Sequence, residues 1–486
     1  MLKNRHWKSA FGAGLIACGG LVLAASPARE ERAGTKTHAP IATPKVCDPL
    51  EFGARPDGQT LATKAIQQAV DACAEQGGGV VQLSPGVYLS GTIFLRTGVT
   101  LQIDEGATLL GSTNLVDYPE VTPQFQSLMT ERERVSQSII YADRVERIGL
   151  RGKGVIDGQG AKFTVRPRER PLVGRPFLIR MIECRDVRVE DITLRNSASW
   201  TESFLACDNL TIRNIRVHGH VIRNNDGIDI DGCQNVLIEG VESSSDDDGM
   251  CFKGTSLRPT KNVVVRNSRF FSYCNALKIG TDSQGAFENI QISNLELGRP
   301  PPGTPPLHLG RPEGISGISL EIVDGGTIDR IAIDNIKIVG TLAPIYLVLG
   351  DRGRHLQGQP RLPPGALKHV TISNLTAETN SPMGCPIIGL PSHRIEGLLL
   401  CNVSISFPGG GIAEDRVRKF PEKADSYPEA IKYANRLPAY GLFFWHVAQV
   451  RLENVRLTTR TADQREAIAG EDASSIRIDG RSWRGQ

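Results

Sequence analysis

The sequence predicts an all-β fold, a right-handed parallel β-helix, from a short apolar motif that recurs along the chain at a nearly constant interval. Each copy starts with an apolar residue and then alternates between apolar and polar positions. The motifs start at Ile148, Val187, Leu210, Val236, Val263, Ile290, Ile331, Val370, Leu398 and Val450. The intervals between the four copies from Leu210 to Ile290 are 26, 27 and 27 residues. Short strands rich in Val and Ile at this period are typical of a solenoid rather than of independent domains.

An Asn recurs four residues after the first apolar position of many copies. These residues are Asn214, Asn267, Asn294, Asn335, Asn374, Asn402 and Asn454. We expect their side chains to stack at one turn of successive coils, where amides satisfy backbone groups that packing leaves exposed. The longer intervals elsewhere indicate loops inserted at turns.

The first 28 residues have the pattern of a signal peptide. Lys3, Arg5 and Lys8 precede an apolar run over residues 10–25, which is too short for a membrane span, and small residues follow it. Removal of the three basic residues takes the net charge from +3 to 0. We therefore expect a secreted or periplasmic protein, with lipoprotein anchoring at Cys18 as an alternative.

A linker is expected over residues 29–46, the β-helix domain over 47–470 and a C-terminal tail over 471–486. An amphipathic helix is predicted from Thr63 to Ala74, where it would cap the open end of the solenoid and cover its strand edges. Gly77 to Gly79 end this helix, and strands at 80–83 and 92–95 begin the coils.

Composition narrows the class of protein. With 51 Gly and 6% aromatic residues the chain is turn-rich, and it has no basic, aromatic-interleaved surface for nucleic acid. The cysteines suit an oxidising compartment, and Cys47 with Cys73 or Cys385 with Cys401 are candidate disulfides. No paired Cys or His spacing indicates zinc. We expect a monomer with no cofactor and no metal.

Acidic and amide residues occupy equivalent places in three successive segments. Asp226, Asp248 and Asn275 are 22 and 27 residues apart, which is about one coil. If coils stack at roughly 4.8 Å, these side chains share one site. Taken alone, the stretch from 243 to 249 favours an acidic turn, with a calcium loop as another interpretation, but Asp226 one coil away favours a catalytic site. Asp246 has no matched role and is interpreted as solvated or structural.

Several short motifs follow one another in a specific order. They are Phe52-Gly53-Ala54, Asp57-Gly58, Gly77-Gly78-Gly79, Ile156-Asp157-Gly158-Gln159-Gly160, Asn196-Ser197 with Trp200, Gly409-Gly410-Gly411, Tyr427-Pro428-Glu429 and Pro438-Ala439-Tyr440-Gly441. At these motifs the chain resembles the polygalacturonases and related pectin hydrolases of glycoside hydrolase family 28, in their bacterial form.

The resemblance implies roles for the aspartates. The family's Asn-x-Asp motif falls on Asn224 and Asp226, and its adjacent aspartates fall on Asp247 and Asp248. By that resemblance Asp247 is the general acid, while Asp226 and Asp248 hold and deprotonate water. Inversion independently needs one acid and one base, roughly 6.5–9.5 Å apart.

Two departures from the family affect substrate binding. Asn275 replaces the histidine of a Gly-His-Gly segment, and an amide donates a hydrogen bond but carries no proton. The nearby His218 and His220 precede Asp226 on another coil. An Arg-Ile-Lys segment that grips the sugar carboxylate is missing around residues 317–321. The substrate-binding candidates are Asn224, Asn275, Lys278, Lys253 and Arg352.

We expect an inverting hydrolase that acts on pectic polysaccharide or oligosaccharide, with polygalacturonate as the leading substrate. Rhamnogalacturonan or another decorated pectin is the alternative. An exo mode is expected if the long segments 299–312, 354–364 and 407–438 close one end of the cleft. A calcium-dependent, β-eliminating lyase and a noncatalytic glycan-binding solenoid are the competing classes.

Overall fold

The chain winds into a solenoid of parallel coils. The structure, a computed structural model, describes residues 45–133, 136–164, 174–307, 310–433 and 435–483. The expected signal peptide, Cys18 and residues 29–44 of the expected linker lie outside the described residues.

The N-terminal coils contain two α-helices and ten strands. The helices are α1 (Thr63–Glu75) and α2 (Leu128–Glu133). The strands are β1 (Val46–Cys47), β2 (Asp57–Leu61), β3 (Gly79–Leu83), β4 (Gly86–Ser90), β5 (Ile93–Phe94), β6 (Val99–Ile103), β7 (Ala107–Gly111), β8 (Ser138–Asp143), β9 (Glu146–Arg151) and β10 (Val155–Asp157).

Longer and more regular coils follow. The middle strands are β11 (Phe177–Ile182), β12 (Arg185–Glu190), β13 (Thr193–Arg195), β14 (Glu202–Leu205), β15 (Asp208–Arg213), β16 (Arg216–Gly219), β17 (Ile228–Asp231), β18 (Gln234–Glu239), β19 (Glu242–Ser245), β20 (Met250–Gly254), β21 (Thr260–Ser272), β22 (Asn275–Ser283) and β23 (Phe287–Gly298). The last strands are β24 (Gly314–Ile322), β25 (Thr327–Val339), β26 (Thr341–Leu349), β27 (Ala366–Glu378), β28 (Cys385–Ile388), β29 (Ile395–Phe407), β30 (Ala439–Ala448), β31 (Arg451–Thr459), β32 (Glu466–Ser474), β33 (Ile476–Ile478) and β34 (Arg481–Trp483).

Strands of successive coils stack into three columns. The first column runs through β3, β6, β9, β12, β15 and β18, the second through β4, β7, β10, β13, β16 and β19, and the third through β8, β11, β14, β17, β20, β22, β24, β26, β28 and β30. From β21 onward one long strand serves both the first and second columns, as the pairings of β21 with both β18 and β19 show. Among the described strands, only β33 and β34 pair antiparallel. The parallel β-helix predicted from the repeat is confirmed.

The recurring motif marks the first column. Nine of the predicted motif starts, from Ile148 to Leu398, are register partners on neighbouring coils, and Val450 directly precedes β31. Apolar side chains of all three columns point into one continuous core. Burial of each Leu, Ile or Phe side chain stabilises the fold by about 1.5–3 kcal/mol. The apolar residues that set the period of the sequence are therefore the residues that form the core.

The predicted Asn stack forms a ladder at the turn between the first and second columns. Asn294 donates to Asn267 at 3.0 Å and accepts from Asn335 at 2.8 Å. All seven residues have φ between 51° and 57°, a left-handed conformation that Asn tolerates better than most residues. A second ladder, which the motif did not predict, joins Asn209, Asn235, Asn262 and Asn289 at the preceding turn.

Helix α1 caps the N-terminal end as predicted. Its Ile66, Val70 and Cys73 are fully buried against the first coils. The helix begins at Thr63, as predicted. The Thr63 hydroxyl accepts from the backbone N–H of Gly91 at 2.8 Å, and Ala62 precedes the helix without a side-chain cap. Gly78 ends this region at φ +104°, where a Cβ would lie 2.5 Å from a backbone oxygen of Gly98.

Three expectations about boundaries and cysteines differ from the structure. Val46, expected in the linker, already pairs with Val80. The β-helix continues beyond residue 470, because β32 pairs with β30 as far as Ser474. The nine described cysteines are all buried, and Cys47, Cys73 and Cys385 are free thiols, so neither candidate disulfide forms. No helix within the described ranges is long and apolar enough to cross a membrane.

Candidate active site

The turns between the second and third columns bring the predicted aspartates together. Asp226 lies just before β17, and Asp247 and Asp248 just before β20; Asn275 begins β22. Because these three strands pair in register, the turns stack directly on one another. The outward-facing side chains of β14, β17, β20, β22 and β24 form a polar surface beside them, called the groove floor below.

Asp248 is held ionised. Its Oδ1 accepts from the Asn275 side chain at 2.8 Å and from the Asn275 backbone at 3.2 Å, and its Oδ2 lies 3.1 Å from Lys278 Nζ. Burial alone would raise the pKa of Asp248, but Lys278, Lys253 and Asn275 outweigh it and lower this pKa to about 2. Ser316 orients Asn275 by donating to its Oδ1 at 2.6 Å. The residue at the family's histidine position therefore contacts a predicted catalytic carboxylate.

Asp226 lies in a different electrostatic setting. Lys253 Nζ is 3.2 Å from Asp226 Oδ2 and 3.1 Å from Asp229 Oδ1, and it lies 4.3 Å from the centre of the Trp200 ring. Burial, then the charge of Asp229, raises the pKa of Asp226 well above its usual range. The Lys253 ammonium is thus shared between the carboxylates of Asp226 and Asp229.

Asp247 is the most exposed of the three, at 8% against 3% for both Asp226 and Asp248. Its Oδ2 accepts from Asn224 at 3.3 Å and its Oδ1 from the backbone of Asp248 at 3.0 Å. Arg175 donates to Asn224 Oδ1 at 3.3 Å. Burial lowers the pKa of Arg175 to about 10, opposed by the charges of Asp226 and Asp247. The structure therefore places all three aspartates around one point.

The other predicted cations are also ion-paired. Arg352 lies beyond the ends of the floor strands, where it donates to Asp324 at 2.9 Å and Asp282 at 3.1 Å. Lys278 lies 3.8 Å from Glu321 and 3.5 Å from the Tyr427 hydroxyl.

Glu321 stands on β24, in the region where the sequence lacks the Arg-Ile-Lys segment of the resembled family. The register of Lys278 with Ser319 places Ser319 and Glu321 on the outward face of β24. Lys253, Lys278 and Arg352 each contact at least one carboxylate in the described floor. The groove floor has a surplus of acidic groups close to its cations.

Neighbouring polar residues have structural roles. His220 Nε2 lies 2.8 Å from the Ser244 hydroxyl, and burial lowers the pKa of His220 to about 3, so this ring is neutral. Asp246 is fully buried and accepts from the Leu307 backbone at 2.5 Å. It is thus a structural residue, as one of the two interpretations held, and is not solvated.

Asp247, Asp248 and Cys274 are the described group whose geometry could suit a metal, with one ligand atom each within 4.8 Å of the others. Burial, followed by the two aspartates, raises the pKa of the Cys274 thiol well above its usual range. Metals bind the thiolate, and the Lys278 ammonium already neutralises Asp248. These residues do not fit a metal ion.

Sequence reasoning missed five residues of this site, namely Arg175, Trp200, Asp229, Glu321 and Tyr427. Asp229 and Glu321 are outward positions on floor strands, so strand parity could have identified them. Trp200 and Tyr427 appeared only as parts of motifs. Nothing in the sequence distinguishes Arg175 from other loop arginines.

The comparisons with known proteins agree with this geometry. The model of glycosyl hydrolases family 28 matches residues 87–298, which include all three aspartates and Asn275. A probable polygalacturonase of Vitis vinifera is 27% identical over 375 residues, 73% of each chain. An exo-poly-alpha-D-galacturonosidase of Dickeya chrysanthemi is 26% identical over 54% of this chain and 51% of its own length.

A solved structure has the same fold. The family 28 exopolygalacturonase of Yersinia enterocolitica superposes with a TM-score of 0.66 at 19% identity, over 90% of this chain and 79% of that one. The solved structure shows that the fold is shared. The family model over residues 87–298 and the polygalacturonase relatives support membership of this chain in glycosyl hydrolases family 28.

Proposed function

We propose that this protein hydrolyses α-glycosidic bonds of pectic polysaccharide, with polygalacturonate as its leading substrate and inversion at the anomeric carbon. The observation that carries the proposal is the convergence of Asp226, Asp247 and Asp248, from stacked turns, beside a groove floor in which Lys278 contacts Asp248 at 3.1 Å. The polygalacturonases among its relatives support the choice of substrate.

The three aspartates have different roles in the reaction. A water molecule held by Asp226 and Asp248 attacks the anomeric carbon as its proton passes to one of these carboxylates. Asp226, whose pKa is raised, is the stronger base when ionised, and Asp248 stays anionic to orient the water. The bond from the anomeric carbon to the glycosidic oxygen breaks while Asp247 donates a proton to that oxygen. Both products then carry a hydroxyl group.

The first test measures new reducing ends on pectic fragments with wild type and Asp247→Asn. We expect the variant to lose activity by about 10²–10⁴-fold, the usual contribution of a general acid. Asp71→Asn, on the surface of α1 in an ion pair with Arg96, is the matched control and should retain wild-type rates. An unchanged rate in Asp247→Asn would remove Asp247 from the mechanism.

Two product measurements separate the competing classes. β-Elimination leaves an unsaturated sugar that absorbs ultraviolet light, and a calcium-dependent lyase loses activity when a chelator is added. Hydrolysis gives no unsaturated product and does not depend on calcium. A noncatalytic binder releases no product at all. Since Lys278 contacts Asp248 and the Cys274 pKa is raised, we expect chelation to leave the rate unchanged.

A decorated pectin such as rhamnogalacturonan is the second candidate substrate, and one observation favours it. The outward face of β24 carries Ser319 and Glu321, and the three nearby cations contact carboxylates. A free sugar carboxylate would have to compete for them. Relative kcat/KM on polygalacturonate, methyl-esterified pectin and rhamnogalacturonan distinguishes the two candidates; a preference for polygalacturonate would reject the second.

We also propose that residues 1–28 direct export and that the mature protein is a monomer in the periplasm or medium. The basic residues, apolar run and small residues of this segment support export. N-terminal sequencing of protein from cell fractions is the test. Mature protein that begins near residue 29 is expected, whereas lipid attached to Cys18 would support the lipoprotein alternative. Gel filtration of the same material tests the monomer.

A further inference from the structure

The outer face of the third column changes character between β24 and β26, beyond the coils that carry the aspartates. Up to β24 the outward-facing side chains of this column are polar and buried, with Asp229, Lys253, Lys278 and Glu321 each at most 6% exposed. From β26 onward the corresponding positions are apolar. They include Tyr346, Val348, Ile388, Phe443 and Trp445.

The C-terminal loop, defined here as residues 408–433, covers this apolar part. Phe420 packs with ring centroids 5.2 Å from Trp445 and 5.6 Å from Phe443, and Tyr433 lies 6.2 Å from Tyr346. Ala430 is fully buried beneath the same cluster. Because aromatic side chains fill the sheet face here, a polysaccharide lying along the described floor meets packed protein beyond β24.

Tyr427 stands where the polar floor meets this cover. The residue is 38% exposed, and its hydroxyl lies 3.5 Å from Lys278 Nζ. Arg352 Cζ and Lys432 Nζ lie 5.9 and 4.5 Å from the ring centre, so cations surround the aromatic face. These contacts position the side chain beside Lys278 on β22.

Two other segments brace the C-terminal loop. The backbone N–H of Asp351 donates to Ala424 O at 2.6 Å, which ties the loop to the segment after β26. That segment is tied in turn to α2, because the backbone N–H of Gln357 donates to Glu131 Oε1 at 2.9 Å. Three sequence-distant segments therefore form one continuous wall at this end of the groove.

We propose that this wall makes the enzyme cut from a chain end, so that it releases only mono- or disaccharides, with Tyr427 closing the terminal subsite. The inference rests on the proposed hydrolysis of pectic polymer. Asp248 precedes β20, and Lys278, which contacts Tyr427, lies on the next coil, β22. Lys278 Nζ lies 3.1 Å from Asp248 Oδ2 and 3.5 Å from the Tyr427 hydroxyl. The space between this carboxylate and Tyr427 is thus about one coil, on the order of 5 Å at the usual strand spacing, which is enough for about one sugar ring.

The experiment follows product length and viscosity at low conversion on the substrate that gives the fastest release of reducing ends. Mono- or disaccharides from the first turnovers, with viscosity falling slowly for each bond cut, are expected. A ladder of intermediate oligomers with a rapid loss of viscosity would overturn the chain-end inference while leaving hydrolysis intact. If no pectic substrate yields reducing ends, the proposed function fails, and this inference fails with it.

Variants test the role of Tyr427. Tyr427→Ala should raise the fraction of products longer than disaccharides at least tenfold, and Tyr427→Phe, which keeps the ring, should retain short products. Val417→Ala, in the same loop but 76% exposed, is the matched control and should match wild type. A far-ultraviolet spectrum and unfolding midpoint like those of wild type establish that Tyr427→Ala is folded. A folded Tyr427→Ala with wild-type products would overturn the assignment of Tyr427 as the wall.

Discussion

At the scale of single residues, each lysine ammonium of the described site contacts carboxylates and is not a free cation. Lys278 serves Asp248 and Glu321, and Lys253 serves Asp226 and Asp229. Such pairs, taken out of water, cost desolvation energy that only close contact offsets. Loss of one partner therefore leaves a buried charge uncompensated, so these lysines control the protonation of the aspartates they contact.

This control predicts the effect of Lys278→Met. Asp248 loses the ammonium that lowers its pKa, and burial then raises that pKa. The carboxylate is ionised above its pKa, so the acidic limb of the kcat/KM–pH profile should move to higher pH. We expect a loss of about tenfold or more at pH 5 that is partly recovered near neutrality. Lys337→Met, which removes an exposed pair with Glu296, is the control, and an unmoved acidic limb would contradict the assignment.

At the scale of elements, the Asn ladder fixes the turn between the first and second columns on successive coils. Asn294 combines two functions there, hydrogen bonds to Asn267 and Asn335 and a left-handed backbone at φ 57°. A ladder that joins consecutive coils adds to the strand pairing itself, so its members contribute to the cooperativity of unfolding between coils.

Two substitutions separate these functions of Asn294. Asn294→Ala loses both hydrogen bonds and strains the backbone, at about 2–4 kcal/mol in the free energy of unfolding. Asn294→Gly loses the hydrogen bonds but adopts φ 57° readily, so it should cost less. Denaturant unfolding should rank wild type above Gly and Gly above Ala, with activity unchanged because this turn lies away from the aspartates. Equal stabilities of Gly and Ala would show that backbone strain is unimportant.

At the scale of the whole molecule, the sequence repeat predicts which residues of the periodic coils are neighbours, but it does not predict the positions of residues in the irregular loops. The first-column motifs and the convergence of Asp226 with Asp248 were predictable, since one coil per motif determines which residues are neighbours. Tyr427 and Arg175 reach the site from loops of irregular length, whose path no period encodes. The same holds for cysteines, because Cys385 is close to Cys401 in sequence yet is a free thiol in the fold.

The buried carboxyl groups together set the pH at which the whole protein is most stable. Burial, as the largest cause, raises the pKa values of Glu202, Asp226, Asp229 and Glu321, that of Asp229 to about 7. Such groups bind protons more tightly when folded, so the stability they contribute is present at low pH and declines as pH rises from about 4 to about 7. Asp248, with its pKa lowered to about 2, has the opposite sign and loses stability only as pH falls below about 4.

The maximum of Tm is therefore expected at mildly acidic pH, near 4–5, with a decline toward pH 8. Asp229→Asn removes one group with a raised pKa and should flatten the decline, so that its Tm relative to wild type increases from pH 5 to pH 8. Thermal unfolding of both proteins across this range measures the effect, with Asp71→Asn as a surface control. A wild-type Tm that rises from pH 5 to pH 8 would show that the lysines, rather than burial, dominate the protonation of the groove floor.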